Sequence, residues 1–286
     1  MKNRLELLIL GSLLLGAIAC SATSAVSTAT PATLAFPTNT PPPPLPTATE
    51  TPTFVGTEVS AAGTSFILPE GLGTGATNQL VPANSDTSNP VWDIHPTYTQ
   101  FNLQGYPLEG KFFEPQIFVY PATQFAQMQE GAAATIVNLE ALLAHPNNAL
   151  PSQLPFLPPF NAAQVFTAQP KILHFQNGSG IRYLTEFAQY PASANNHDLF
   201  YTFQGLTNDG ANYVTAILPI NASFLAADEK PESAVPPDGI PYDQNNPQGY
   251  YAAIVAKLNS TEAGAFSPSL DDLDTLIQSI TAGSPH

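Results

Sequence analysis

Apolar positions recur along this chain in several patterns, and each predicts a different kind of element. Thr64 to Leu68 is a short run of β-branched and aromatic residues closed by Pro69-Glu70-Gly71, the composition of a strand that ends in a turn. Val91 to Leu103 and Pro115 to Tyr120 are rich in the same residue types between turn formers, and predict further strands. Phe125, Met128, Ala132, Ile136, Leu139 and Leu143 follow at steps of three and four, the spacing of one helix face. Gly131 is placed to kink or divide that helix, and His145-Pro146-Asn147-Asn148 to end it.

Two hairpins come next. Lys171 to Gln176 and Ile181 to Gln189 flank Asn177-Gly178-Ser179-Gly180; Leu199 to Leu206 and Tyr213 to Ile220 flank Thr207-Asn208-Asp209-Gly210. Asn-Gly and Asp-Gly supply the positive φ angles that tight turns need. A loop of all four residues 177–180 sets Lys171 opposite Glu186 as a cross-strand ion pair; a two-residue loop breaks that pairing. Tyr250, Tyr251, Ile254 and Leu258 mark one C-terminal helix, and Leu270, Leu273, Leu276, Ile277 and Ile280 a second. Ser269 with Asp272 three residues on reads as the N-cap of the second, and Asp271 adds favourable charge to its first turn. The expected class is α+β, a mainly antiparallel sheet with helices packed on it. That order of elements resembles the PsbP-like α/β/α sandwich, a family of small secreted or tethered adaptor domains; the likeness is one of architecture and assigns no residue a role.

The start of the chain is different in kind. Lys2 and Arg4 precede a largely apolar stretch from Leu5 to Ala19, which closes on Ala17-Ile18-Ala19-Cys20. A basic start, a short apolar run and small residues before a cut describe a secretory signal; a membrane span needs about 20 apolar residues. With its cysteine at the cut, the stretch resembles the lipobox of bacterial lipoproteins, although Ala17 stands where that family usually has Leu. The resemblance implies removal of residues 1–19, acylation of Cys20 with a diacylglyceryl group and a palmitate-type chain, and a membrane anchor on the extracytoplasmic face of the cell envelope. Cys20 is the only cysteine, so acylation leaves no thiol for disulfides, zinc, iron–sulfur clusters or nucleophilic catalysis.

Composition then divides the rest. Residues 20–58 are the acylated cysteine and a linker of Pro, Thr, Ala and Ser around Pro41-Pro42-Pro43-Pro44. Such a segment cannot bury enough apolar area to offset its ordering entropy, and predicts a disordered, extended tether. At about 3.1 Å per residue where stiff, it reaches up to about 100 Å. Residues 59–286 are long enough for one α+β domain. The chain holds 22 acidic against 7 Lys and Arg, a net charge of −15. After residues 1–19 only Lys111, Lys171, Arg182, Lys230 and Lys257 remain basic. Nucleic acid is thereby excluded as a partner, because its binding depends on neutralising phosphates.

Candidate chemistry is sparse. Ser179 lacks a G-x-S-x-G elbow, and no two of His95, His145, His174, His197 and His286 share a metal-binding spacing. No cofactor is expected except calcium, for which Asp238, Asp243 and Asn245 lie within one loop. Clustered oxygens suit a hard cation, and the same Pro and Gly residues read equally as a surface turn. Leu154 to Phe160 is an apolar segment in which Pro155, Pro158 and Pro159 exclude a central strand or helix. Either it folds over the sheet and completes the core, or Phe156, Leu157 and Phe160 form a partner-binding patch. Two functions follow. One is a tethered, non-catalytic binding or structural domain with an envelope protein, glycan or solute as partner. The other is an extracellular hydrolase built from one of the histidines with Asp93, Asp198, Asp209 or Glu186.

Overall fold

The structure is a computed structural model and describes residues 53–230 and 232–283. Cys20, the leader before it, most of the linker and His286 lie outside the described residues. In chain order the strands are β1 (Thr57–Ala61), β2 (Thr64–Leu68), β3 (Gly75–Val81), β4 (Tyr98–Gln104) and β5 (Gln116–Pro121). Two helices follow, α1 (Ala122–Met128) and α2 (Glu130–Ala144). Then come β6 (Ala163–Gln164), β7 (Ala168–Phe175), β8 (Gly178–Thr185), β9 (Phe187–Ala188), β10 (Phe200–Thr207), β11 (Asn212–Pro219) and β12 (Asn221–Ala222). The chain closes with α3 (Pro247–Ser260), β13 (Phe266–Ser267) and α4 (Leu270–Gln278). The first strand thus begins at Thr57, two residues before the start read from composition.

Seven strands form one antiparallel sheet in the order β3-β4-β5-β11-β10-β8-β7. The fold is α+β, as the element order predicts. Helices lie on both faces of the sheet, which is why β10 and β11 are buried along their whole length. Side chains alternate between the faces. Val214, Ala216 and Leu218 join the core under α3 and α4, while Tyr213 and Ile217 join the core under α1 and α2. The β1–β2 hairpin closes the α4 side through Ser65, whose N–H and carbonyl both pair with Thr281.

The β10–β11 hairpin has the expected turn, with Gly210 at φ +68° in open space. The β7–β8 hairpin does not. Its loop is the two-residue one, Phe175 pairs with Gly178, and Lys171 stands opposite Arg182 instead of Glu186. Gly178 and Gly180 are strand residues, and packing requires both. A Cβ on Gly178 would lie 2.1 Å from Cζ of Phe175, and one on Gly180 would lie 2.3 Å from the Gln204 carbonyl and 2.5 Å from Cζ of Phe203. Phenylalanine rings cover the space that these glycines leave open, a known use of glycine inside a strand. Lys171 and Arg182 share the carboxylate of Asp274 on α4, at 2.8 and 3.1 Å, and the buried hydroxyl of Tyr201 donates to the same group at 3.0 Å.

The long helix pattern divides at Gln129 (φ −145°), two residues before Gly131. The cap on α4 is as read from sequence: the Ser269 hydroxyl accepts from the Asp272 N–H at 3.1 Å.

Candidate functional site

A second polar cluster, apart from the one on Asp274, lies at one end of the sheet, where β8 leaves it and β10 enters it. Residues 186–199 connect the two, and three other loops are tied to this connection. Pairing of β9 with β6 brings in the chain that follows the proline-rich apolar segment. The Asn196 N–H donates to the Ala226 carbonyl at 2.8 Å, which brings in residues 223–230. The Phe112 N–H donates to the His197 carbonyl at 3.0 Å, which brings in the β4–β5 loop. These four segments enclose a cavity of about 500 Å³, within the range of small-molecule sites.

One wall of the cavity is aromatic. Phe160 meets Phe112 and Phe187 at ring-centre distances of 5.9 and 5.8 Å, both edge-to-face. Behind them Phe113, Phe156 and Phe200 continue the cluster. The apolar segment is therefore split in its roles. Leu157 is a core residue with no exposed surface, not part of a surface patch. Its N–H donates to Oε1 of Gln204 at 2.9 Å, and its carbonyl accepts from Nε2 of Gln204 and the hydroxyl of Thr215. Buried sheet side chains thus satisfy the backbone groups that a proline-rich segment cannot pair in a ladder. Phe156 is half-buried in the aromatic cluster, and Phe160 faces the cavity at 38 % exposure.

The other wall is acidic, and Asn195 organises it. Asn195 is buried; its N–H donates to Oε1 of Glu186 at 2.8 Å, and its amide nitrogen donates to Oδ2 of Asp198 at 2.8 Å. Its side-chain oxygen accepts from the N–H groups of His197 and Asp198. Nδ1 of His197 lies 2.6 Å from the other oxygen of Asp198. Glu186 is only 4 % exposed, and its second oxygen has no hydrogen-bond partner among the described residues. Burial is the main reason its carboxyl is held well above the usual carboxylate range. The Asn195 amide opposes that shift, and the charges of Asp198 and Glu229 add to it. At the rim Tyr190 donates to Glu229 at 2.7 Å, and Lys230 reaches Asp228 at 2.7 Å. A second cavity of about 540 Å³ adjoins across Tyr190 and Asp228–Lys230, with Phe224, Tyr242 and Tyr250 in its lining.

Of the residues singled out from sequence, Glu186, His197, Asp198 and Phe160 meet here. The loop oxygens considered for calcium do not. Asp238, Asp243 and Asn245 are exposed; Asp238 faces the ammonium of Lys257 at 3.5 Å, and Asp243 accepts from the Asn245 N–H at 2.9 Å. Among the described residues no group of three or more His, Asp or Glu side chains is placed to hold a metal. His95 turns Nδ1 to the carbonyl of Pro96 at 3.0 Å, and His145 and His174 are exposed. Sequence reading missed Asn195, Phe112 and Phe187. One signal for the site was there, an acid at position 186 between Leu184 and Phe187 at the end of a predicted strand. Comparison of the chain with protein-family models, with curated proteins and with solved structures finds no match.

Proposed function

We propose that this protein is a membrane-anchored, outward-facing lipoprotein whose domain is a non-catalytic binding module, with the cavity at the end of the sheet as its binding site. The observation that carries the binding reading is Glu186, a buried carboxyl with one oxygen unpaired among the described residues and turned to an aromatic-walled space. A carboxyl at this depth is costly to ionise unless an opposite charge or hydrogen-bond donors join it, and Glu186 stands in the cavity wall, where a ligand can supply them. The anchor reading rests on Cys20 at the end of its apolar leader. Among the described residues no helix is long and apolar enough to cross a membrane.

The hydrolase reading keeps one supporting observation, the 2.6 Å contact of His197 with Asp198 beside Glu186. It lacks a Ser, Thr or Cys nucleophile. The lining residues include no Ser, Thr or Cys, and their one hydroxyl, that of Tyr190, is donated to Glu229.

Two comparisons test the proposal. Cys20→Ser is expected to abolish incorporation of a clickable palmitate and to release the protein from the membrane fraction; retention without label would refute the anchor. Ala162→Trp is placed to fill the cavity. The full chain, extracted from native membranes and denatured, is expected to yield a small molecule by mass spectrometry that the filled variant lacks. Equal recovery from both would remove the cavity from the account.

A further inference from the structure

We propose that the cavity takes a small organic cation, a primary ammonium or guanidinium on an apolar body, with its charge set against the free oxygen of Glu186. The proposal rests on the binding reading above and deepens it by naming the class of ligand.

The first argument is one of charge balance. Glu186, Asp198, Asp228 and Glu229 all line the cavity against a single lysine, Lys230, and no cation of the described residues is paired with Glu186. Lys230 is held by Asp228 at the exposed rim, Lys111 donates to the Asn196 carbonyl and the Asn221 side chain, and His197 is turned to Asp198. Glu186 is thus a buried acid with no cation supplied by the described chain. An ionised carboxylate at such depth is costly unless an opposite charge joins it. An anionic ligand would meet like charges on the acidic wall.

The second argument is the composition of the walls. A hard metal ion takes six or more oxygens, and this cavity offers single carboxylates opposite phenylalanines. Ring faces and edges of Phe112, Phe160 and Phe187 instead suit an apolar body, and an ammonium near a ring face is attracted by its quadrupole. Asn195 holds the two innermost carboxylates through one hydrogen bond to each, and accepts a third from the Asp198 N–H. The acidic wall is therefore built before any ligand arrives, which lowers the ordering cost of binding.

The test is calorimetric titration of the full chain in detergent micelles, corrected against empty micelles, with three probes of one shape: 2-phenylethylammonium, 2-phenylethanol and 3-phenylpropionate. The ammonium is expected to bind at least about tenfold more tightly than the alcohol, and the carboxylate not to bind. Glu186→Gln is expected to remove that preference, bringing the ammonium to within about twofold of the alcohol. Glu229→Gln, at the exposed rim, is expected to weaken the ammonium by only a fewfold, and added salt to shrink that effect. If alcohol and ammonium bind the native chain equally, the cation preference is wrong while the binding site stands. If none of the three binds, the binding reading fails with it. Because the three-probe comparison uses the native chain, misfolding of a variant cannot rescue the proposal.

Discussion

Gln204→Met tests how the proline-rich segment is held over the sheet. Gln204 is buried on β10, and its side chain makes five hydrogen bonds. Oε1 accepts from the Leu157 N–H at 2.9 Å, the Tyr213 hydroxyl at 2.8 Å and the Thr215 hydroxyl at 3.3 Å. Nε2 donates to the Leu157 carbonyl at 3.3 Å and the Thr202 hydroxyl at 2.9 Å. Methionine keeps the length of the side chain and loses all five. The Leu157 carbonyl retains Thr215, and Thr202 retains the carbonyl of Ala216. Two buried donors are left without a partner, the Leu157 N–H and the Tyr213 hydroxyl. At about 1–3 kcal/mol each, the expected loss is about 2–6 kcal/mol, read from urea unfolding by circular dichroism. Thr215→Val, which leaves the Leu157 carbonyl its bond to Gln204, is expected to lose only about 1 kcal/mol. A loss under about 0.5 kcal/mol in Gln204→Met would refute the latch, and would mean that apolar burial alone holds Leu157 in place.

Three further outcomes follow from the same geometry. Asp274→Ala strands the buried guanidinium of Arg182 and is expected to cost about 3–5 kcal/mol, whereas Lys171→Ala, at 51 % side-chain exposure, is expected to cost less than about 1 kcal/mol in the same denaturation assay. Gly180→Ala drives a methyl into the Gln204 carbonyl and is expected to cost about 3 kcal/mol, while Gly210→Ala meets only an unfavourable φ in open space and about 1 kcal/mol; equal losses would contradict the packing account of the β8 glycines. For Glu186 the folded carboxyl titrates above the unfolded one, so its contribution to stability is complete below the ordinary carboxylate range and is lost as pH rises through the folded value. The stability of Glu186→Gln relative to the native protein is therefore expected to increase with pH in melting experiments from pH 4 upward, and a constant difference would show that Glu186 titrates as it does in the unfolded chain.

What could be read from the sequence was what is local. β2, the β10–β11 turn and the Ser269 cap each depend on residues within a few positions of one another, and each stands where the pattern puts it. β1 and β3 went unseen because they are largely exposed, so burial imposes little alternation on them. The β7–β8 register was misread for a physical reason. Glycine signals a turn and a close approach equally well, and only Phe175 and Phe203, placed by the fold, decide for the second. Likewise the partner of Lys171 is Asp274, 103 residues away on a helix, beyond any hairpin argument. The site followed the same rule. Glu186, His197 and Asp198 stood out as polar residues flanking apolar strands, but nothing in the sequence says that Phe112 and residues 228–230 meet them. That meeting depends on two backbone hydrogen bonds, Phe112 to His197 and Asn196 to Ala226.

Burial holds the Glu186 carboxyl above the ordinary carboxylate range, and a cation bound against it would favour the ionised form, so binding is expected to release protons from Glu186. Titration of the full chain with 2-phenylethylammonium at pH 6, in two buffers of different ionisation enthalpy, counts the protons exchanged. Release of up to about one proton per ligand bound is expected, and none from Glu186→Gln. Binding with a heat independent of the buffer in the native protein would contradict it.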